Sequence, residues 1–188
     1  MLKIGILTSN RAPGLDALRN HPLRGSIFEI ATVQNRRPPE DKSLREWYDA
    51  ETAEIFRKAG ADYVILLGYL YVVTEPLMKA FGDRLWNVHD GTQKYTGLHA
   101  TRDAILSLEM ETHSIVHVVT KNVDRGPIIL QSDAYLIAPF VQHAVLAGEM
   151  DIVRAYAYAH REWMMRSSWG DLIVQALFRV AVLEEVAV

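Results

Sequence analysis

The sequence predicts an α/β fold with a mostly parallel, twisted sheet flanked by helices. Two kinds of segment alternate along the chain: continuously apolar runs such as Leu2–Leu7 and Tyr63–Leu67, and longer segments with apolar residues at helical spacing. Continuous apolar runs are typical of parallel strands that helices cover on both faces. No repeat, low-complexity tract or linker interrupts the alternation, so we expect a single domain over residues 1–188.

The elements of the first half follow from local signals. Pro13 and Gly14 separate the first strand from a short helix, and Asp41 or Ser43 can cap a longer helix that Gly60 ends. Thr74 can cap a third helix with proline in its first turn. The predicted strands cover residues 2–7, 27–33, 63–67 and a run that begins at Leu85.

The second half continues the same alternation. We expect a helix from about Ala100 to Leu108, a strand beginning at Ile115, and an extended segment from residue 127 to 134. The region from about Met150 to Val182 predicts one or two amphipathic helices, interrupted near Gly170.

The composition excludes several classes of protein and site. The chain has 188 residues, 49% hydrophobic and 23% charged, as in ordinary globular proteins. A net charge of −3 gives no reason to expect a nucleic-acid partner, and the absence of cysteine excludes disulfides and thiolate sites. The longest apolar-rich run, Ala134–Gly148, is too short to cross a membrane. Without a recognisable signal peptide, the expected location is the cytoplasm and no membrane partner is expected.

Three polar residues near strand ends are the candidate site. Asn87 and His89 lie at the end of the strand that begins at Leu85, and Asp124 lies in the turn after the strand that begins at Ile115. If both strands belong to one parallel sheet, they end at the same edge, where open α/β sheets place ligands. We therefore expect the three side chains to meet in one cleft.

A series of motifs surrounds these residues. In order, they are Gly68-Tyr69-Leu70, Asn87-Val88-His89, Lys94-Tyr95-x-Gly97-Leu98-His99 and Val119-Thr120-x-x-Val123-Asp124-x-Gly126-Pro127-Ile128-Ile129. An isolated Asn-x-His is a weak signal, whereas the ordered series is specific. The series is densest over residues 61–131 and resembles the formyltransferase family.

The resemblance implies a Rossmann-like formyltransferase fold, 10-formyltetrahydrofolate as the formyl donor and a small amine as the acceptor. Glycinamide ribonucleotide, an intermediate of purine synthesis, is the default acceptor. Asn87, His89 and Asp124 match the family's catalytic trio. A homodimer is left open.

The three residue types suit this chemistry. Attack of an amine on a formyl carbon places negative charge on the formyl oxygen, which the Asn87 amide and an imidazolium at His89 can stabilise. Asp124 can orient His89 and assist proton transfer, and no metal is required. Each residue also has a structural interpretation: Asn87 could bond to neighbouring backbone, Asp124 could be a turn residue, and His89 a satisfied polar group. His117, within a strand, is interpreted as a packing histidine.

The resemblance also implies two binding regions. The donor would lie against the apolar loop and the turn that contains Asp124; the residues are Gly68, Tyr69, Leu70, Tyr71, Val72, Lys121, Val123 and Arg125. The acceptor would meet Ser9, Asn10, Arg11, Asp90 and Glu162.

Two departures from the family pattern fall on the acceptor side. Pro13 and Gly14 stand where the family's first loop offers a backbone N–H and an asparagine side chain for phosphate, which Arg11 could replace with charge. The loop after His89 reads Asp90-Gly91-Thr92-Gln93, one residue shorter than usual, and places a carboxylate beside the acceptor channel. We therefore expect glycinamide ribonucleotide to be a poor substrate, or to make a different phosphate contact.

The motifs leave other functions open. An amino-sugar nucleotide N-formyltransferase would use the same trio. A 10-formyltetrahydrofolate hydrolase would replace the amine with water, and a non-catalytic folate-binding module would not need the trio.

Overall fold

The computed structural model describes residues 1–186, so residues 187–188 of the predicted domain lie outside the described residues. The strands are β1 (Leu2–Thr8), β2 (Phe28–Asn35), β3 (Tyr63–Leu66), β4 (Leu85–His89), β5 (Glu111–Thr112), β6 (Ile115–Val118), β7 (Ile128–Gln131) and β8 (Tyr135–Leu136). The helices are α1 (Leu15–Asn20), α2 (Arg45–Lys58), α3 (Glu75–Phe81), α4 (Ala100–Leu106), α5 (Pro139–Ala147) and α6 (Met150–Val186).

Six of these strands form one sheet in the order β2-β1-β3-β4-β6-β7. The first four strands in that order are parallel, whereas β6 and β7 are antiparallel to their neighbours. Strands β5 and β8 form a separate antiparallel ribbon. The predicted fold class, α/β with a mostly parallel sheet flanked by helices, is confirmed.

The prediction that β4 and β6 run parallel is wrong. His89, at the end of β4, pairs with Ile115, at the start of β6. The connection between them contains only the seven-residue α4 and the short β5. It therefore starts β6 at the same end of the sheet at which β4 finishes. A parallel pair would have required a crossover along the full face of the sheet.

Helices cover the two faces of the sheet in separate layers. Ile4, Ile6 and Ile65 point into one cluster with Trp169 and Ile173 of α6, and α1 adds Leu18. Leu7 and Leu66, offset by one residue along the same strands, point into the opposite cluster with α2 and α3. This alternation explains why β3 and the interior of β1, residues 4–7, carry no polar side chain.

The predicted break near Gly170 does not occur, because α6 is one continuous helix of 37 residues. Gly170 instead allows close packing of α1 against α6. A Cβ atom at Gly170 would lie 2.6 Å from the Cβ of Ala17. The glycine marks a close contact between helices rather than a helix end.

The apolar-rich run from residue 134 to 148 contains β8 and α5. Helix α5 was not predicted, although Pro139 in its first turn and Gly148 at its end are ordinary helix boundaries. It packs Val141 and Ala144 against Val153 and Ala157 of α6. None of the helices in the described part of the chain has the length and apolar composition needed to span a bilayer.

Candidate active site

A cavity of about 330 Å³ lies beyond the carboxyl ends of β3 and β4. Its walls come from the loop after β3, the end of β4, the loop before α4, the turn after β6, and α6. The lining residues are Leu66, Gly68, Tyr69, Leu70, Tyr71, Val72, Val73, Asn87, Val88, His89, Asp90, Gly97, Leu98, His117, Val119, Thr120, Val123, Asp124, Arg161 and Trp169.

The three predicted catalytic residues meet in this cavity. Asn87 Nδ2 donates a hydrogen bond to Asp124 Oδ1 at 3.0 Å. His89 Nδ1 lies 3.6 Å from Asp124 Oδ2, which is too long for a direct hydrogen bond. His89 and Asp124 are both buried.

Asp124 reaches the cavity by a route that the sequence did not predict. After β6, the Val119 N–H donates to the Leu85 carbonyl at the start of β4, so the turn must fold back to reach Asn87 and His89. Asp124 takes a left-handed backbone conformation with φ 54°, which Asp tolerates better than most residues. Its Oδ2 accepts a hydrogen bond from the Gly97 N–H at 2.8 Å, which fixes the carboxylate.

Gly126 allows this turn to pack closely on β6. A Cβ atom at Gly126 would lie 1.8 Å from the Val118 carbonyl oxygen. Only glycine therefore fits here without a shift of the backbone.

Both ring nitrogens of His89 face hydrogen-bond acceptors. Nε2 lies 3.0 Å from the Tyr95 carbonyl oxygen, and because a carbonyl can only accept, Nε2 carries a proton. Nδ1 faces the carboxylate of Asp124. In a protonated ring, one N–H would bond to the carbonyl and the other would point toward the carboxylate, beyond hydrogen-bond distance.

His117 is buried at 1% exposure, as expected for a core or packing histidine, and it also lines the cavity. It pairs with Asn87 across the sheet. Its Nδ1 donates to the Val118 carbonyl at 2.9 Å, while Nε2 lies 3.2 Å from Asn87 Nδ2 and 3.6 Å from Asp124 Oδ1. A neutral ring accepts from Asn87, and a protonated ring donates toward Asp124. The signal that could have identified it is a buried polar residue among the valines of β6, whose antiparallel register brings it opposite Asn87.

Burial would raise the pKa of the Asp124 carboxyl, but its surroundings more than offset that effect. The imidazoles of His117 and His89 and the Gly97 N–H lower this pKa to about 2. Asp124 is therefore an anion across the physiological pH range. The site keeps a fixed negative charge next to two rings that can each carry a proton.

The predicted donor-binding residues divide into two groups. Gly68, Tyr69, Leu70, Tyr71, Val72 and Val123 line the cavity. Lys121 and Arg125 are exposed and outside its lining. In the turn, therefore, the cavity wall is formed by Val123 and Asp124.

The first loop supports the cavity rather than lining it. Ser9 is buried, and its Oγ accepts a hydrogen bond from the Leu70 N–H at 2.9 Å, which fixes the apolar loop. Asn10 is exposed.

Arg11 is paired with Glu162 through two hydrogen bonds, Nη1 to Oε2 at 3.0 Å and Nη2 to Oε1 at 2.5 Å. Both residues border a second hollow beside α1, which also contains Pro13, Asp16 and Arg166. The Arg11 hydrogen bonds lower the pKa of Glu162, so both side chains are charged and largely neutralise each other. Arg166 Nε lies 3.5 Å from the same carboxylate, so Glu162 faces two arginines and Arg11 is not a free cation.

Asp90 lines the main cavity but is not a free carboxylate. It is buried at 2% exposure, and Arg161 of α6 pairs with it through Nε to Oδ2 at 2.6 Å and Nη2 to Oδ1 at 3.2 Å. Sequence reasoning missed Arg161, because the two residues are far apart in the chain and no motif connects them. In the part of the chain that the structure describes, no cluster of three His, Asp or Glu side chains could hold a metal ion.

Comparison with protein families identifies one match over most of these elements. The model of the formyl transferase family matches residues 24–144. That range includes Asn87, His89 and Asp124, and the loop after β3.

Individual proteins give similar results. The chain is 37% identical over 93 residues to the trifunctional purine biosynthetic protein adenosine-3 of Drosophila melanogaster, which is 49% of this chain and 7% of that protein. It is 34% identical over 95 residues to phosphoribosylglycinamide formyltransferase of Escherichia coli, which is 50% of this chain and 45% of that protein. The matched part of this chain thus spans less than half the length of either relative.

Among solved structures, the chain resembles glycinamide ribonucleotide transformylase 1 from Symbiobacterium toebii. The TM-score is 0.66 at 30% identity, with 86% of each chain covered.

Proposed function

Because this chain belongs to the formyl transferase family, we propose that it transfers a formyl group from 10-formyltetrahydrofolate to the amine of a small acceptor, with glycinamide ribonucleotide as the default. The observation that carries the proposal is the meeting of Asn87, His89 and Asp124 in one cavity beside an apolar loop. A structural turn residue or a satisfied strand-end histidine would not need this convergence in a cleft.

The donor fits the apolar side of the cavity. Its volume lies at the lower end of the range for small-molecule sites, enough for the flat pterin end of a folate. Tyr69, Leu70 and Val72 form an apolar wall there. The Leu70 N–H is already bound by Ser9, so Ser9 fixes the loop instead of contacting the donor.

In the proposed reaction, His89 stabilises negative charge and transfers a proton, and Asp124 provides a negative charge beside it. A protonated His89 can stabilise the formyl oxygen as it becomes negative. It can then give its proton to the departing folate nitrogen and regain one from the attacking amine, so that one proton passes from the amine to the folate. The fixed negative charge of Asp124 faces Nδ1 of this ring. The 3.6 Å gap between His89 Nδ1 and the carboxylate leaves that N–H without a close acceptor and available to a ligand.

Asn87 must change partners to act on the formyl oxygen. Its Nδ2 donates to Asp124 and faces His117 Nε2, so both of its protons are engaged. Protonation of His117 would let that ring donate to Asp124 in its place and would free an N–H of Asn87. His117 is therefore a positioning residue in this proposal.

The acceptor side differs from an ordinary phosphate site. Helix α1 has only six residues, its N-cap Gly14 provides no side-chain hydrogen bond, and Arg11 is already paired with Glu162. We therefore propose that a phosphorylated acceptor makes its anion contact elsewhere, or that the acceptor is another amine.

A product analysis tests the proposed function. The purified chain is incubated with 10-formyltetrahydrofolate, with and without glycinamide ribonucleotide, and tetrahydrofolate, formate and formylated amine are quantified. Formylated amine appearing with tetrahydrofolate supports the proposal. Formate released equally with and without amine indicates hydrolysis, and an unchanged donor that still binds indicates a binding module. If amino-sugar nucleotides are formylated and glycinamide ribonucleotide is not, the proposed reaction stands and the proposed acceptor is replaced.

A further inference from the structure

The ion pair between Arg161 and Asp90 is the feature of the cavity that the proposed reaction does not use. Both residues line the cavity, and Asp90 follows His89 directly in the chain. The Asp90 carboxylate is almost fully buried, whereas the Arg161 side chain keeps 25% of its surface exposed. The pair therefore presents its cationic member, not its anionic one, to a ligand.

Asp90 is fully occupied within the protein. Arg161 donates to both of its oxygens, and the Thr101 hydroxyl lies 2.9 Å from Oδ2. A buried carboxylate with three such contacts has little capacity left for a cationic amine. The sequence-based expectation that Asp90 attracts the acceptor amine is thus replaced by a role in holding Arg161.

Arg161 retains unused hydrogen-bond donors. A guanidinium has five N–H groups, and the pair with Asp90 uses Nε and one N–H of Nη2. Within residues 1–186, Nη1 makes no hydrogen bond, and it is not sealed from solvent. No lysine and no other arginine lines the cavity in this described part of the chain.

We propose that Arg161, held in place by Asp90, binds an anionic group of the acceptor, either a phosphate or a carboxylate. Both groups match the planar donor fork of arginine, and a guanidinium fixed by one carboxylate can bind a second anion with little loss of side-chain freedom. This inference rests on the proposed function and specifies its acceptor: a small amine that also carries an oxoanion.

Kinetics with matched acceptors test this role. Each pair shares the amine and differs in one anion: a phosphorylated amine and its dephosphorylated form, and an amino acid and its amide. For Arg161→Gln, we expect the KM for the anionic acceptor to rise roughly tenfold to a hundredfold more than the KM for its neutral partner. The pair of acceptors with the larger difference in KM shows whether Arg161 binds phosphate or carboxylate. Equal changes for anionic and neutral acceptors would overturn the proposal and leave the ion pair a purely structural link.

Two further variants separate binding from folding. Arg154→Gln removes an arginine from an exposed ion pair on the same helix and should leave both KM values unchanged. Arg161→Lys keeps a charge beside Asp90, and so protects the fold if Arg161→Gln unfolds. Because lysine lacks the planar fork, we expect Arg161→Lys to lose part of the preference for anions.

Direct titration with inorganic phosphate keeps this test independent of the reaction. Calorimetry on the wild-type chain should show binding that weakens in Arg161→Gln and not in Arg154→Gln. If no amine is formylated but this pattern holds, the proposed function fails and the anion site stands. If formylation occurs but phosphate binding is absent or identical in both variants, and the anionic preference is unchanged, the role of Arg161 is wrong.

Discussion

At the residue scale, the site depends on contacts between residues that are distant in the chain. Asn87 and His89 could be identified from the sequence because they belong to one short motif. His117 could not be assigned, because its role depends on the register of β6 against β4. Arg161 could not be paired with Asp90, because nothing local in the sequence relates α6 to the end of β4. Local signals identify chemical groups, whereas the contacts between them depend on tertiary structure.

Replacing Asp124 with Asn should remove the charge and keep the size of the side chain, although the single amide oxygen can accept only one of the two hydrogen bonds from Asn87 and Gly97. Asn tolerates the left-handed conformation at this position at least as well as Asp. We expect formyl transfer to fall by roughly two orders of magnitude or more, because the site loses the negative charge that faces His89. Steady-state kinetics measure the loss, and circular dichroism verifies the fold. Near-normal turnover in a folded variant would reduce Asp124 to a turn residue.

Asp124 should also make the free energy of unfolding depend on pH in the acidic range. Its pKa of about 2 lies below the ordinary value of 3.8, so the folded state binds this proton less readily than the unfolded state. The resulting stabilisation, roughly 2 kcal/mol at most, is present above about pH 4 and is lost as the pH falls toward 2. Urea unfolding between pH 5 and 2 should therefore be less steeply pH-dependent in Asp124→Asn. Identical slopes would contradict the assigned interactions of the carboxylate.

His117→Phe should keep the volume of the ring but remove its polar atoms. Without a ring nitrogen near Asn87 and Asp124, the Asn87 amide loses the His117 Nε2 contact that helps to fix its orientation. We expect kcat to fall more than the KM for the donor rises. An unchanged kcat would show that His117 only fills space.

At the element scale, the positions of strands were easier to predict than the bounds of helices or the direction in which each strand runs in the sheet. The apolar runs of β1 and β3 appear where expected, because burial on both faces leaves a simple sequence signal. The continuity of α6 was not predicted, because a glycine that ends a helix and a glycine that permits a close contact look alike in sequence. The direction of β6 depends on the length of its connection, which apolar patterning does not encode.

Gly126→Ala should disturb the turn that delivers Asp124. The added methyl group would collide with the Val118 carbonyl oxygen, so the backbone must shift. We expect a loss of roughly 1–3 kcal/mol in the free energy of unfolding, together with reduced activity. Gly25→Ala serves as a control, because a Cβ there meets no atom within 4 Å and only the positive φ is penalised. Comparable activity in the two variants would mean that the turn adapts without moving Asp124.

The contact at Gly170 can be tested by a compensating pair. Gly170→Ala adds a methyl group 2.6 Å from Ala17 Cβ, which should outweigh the roughly 1 kcal/mol that alanine gains in helix propensity. Ala17→Gly in the same chain should recover part of the loss. A double-mutant cycle with no coupling energy would show that α1 moves away at no cost.

At the scale of the whole molecule, α6 connects the large sheet to the small ribbon. Trp169 and Ile173 pack on the sheet, while His160 lies against the ribbon with its Nε2 2.7 Å from the Thr112 hydroxyl. Fold class was predictable because it reflects the alternation of strands and helices along the chain. The single domain over residues 1–188 stays a prediction.

His160 should make global stability sensitive to mild acid. Burial lowers the pKa of His160 below its ordinary value of 6.5. At pH values below about 6.5 the unfolded state takes up a proton that the folded state resists, so the free energy of unfolding decreases as the pH falls. Denaturant titrations at pH 8 and 5.5 should show this decrease, and His160→Gln should reduce it. Equal pH dependence in the variant would assign the effect to other groups.

The antiparallel entry of β6 makes the cleft a composite of two successive stretches of the chain. The amide and the first imidazole come from the segment that ends at β4, whereas the second imidazole and the carboxylate arrive with the hairpin of β6 and β7. In a nascent or partly unfolded chain, that hairpin can be separated from β4 by unfolding. Such a chain would have Asn87 and His89 in place but would lack His117 and the negative charge of Asp124 beside them. Such a chain would be chemically inert while its parallel strands remain paired. Enzymatic turnover would therefore report the docking of β6 and β7 on β4. A chain cut between α4 and β5 would be active only when its two fragments reassociate.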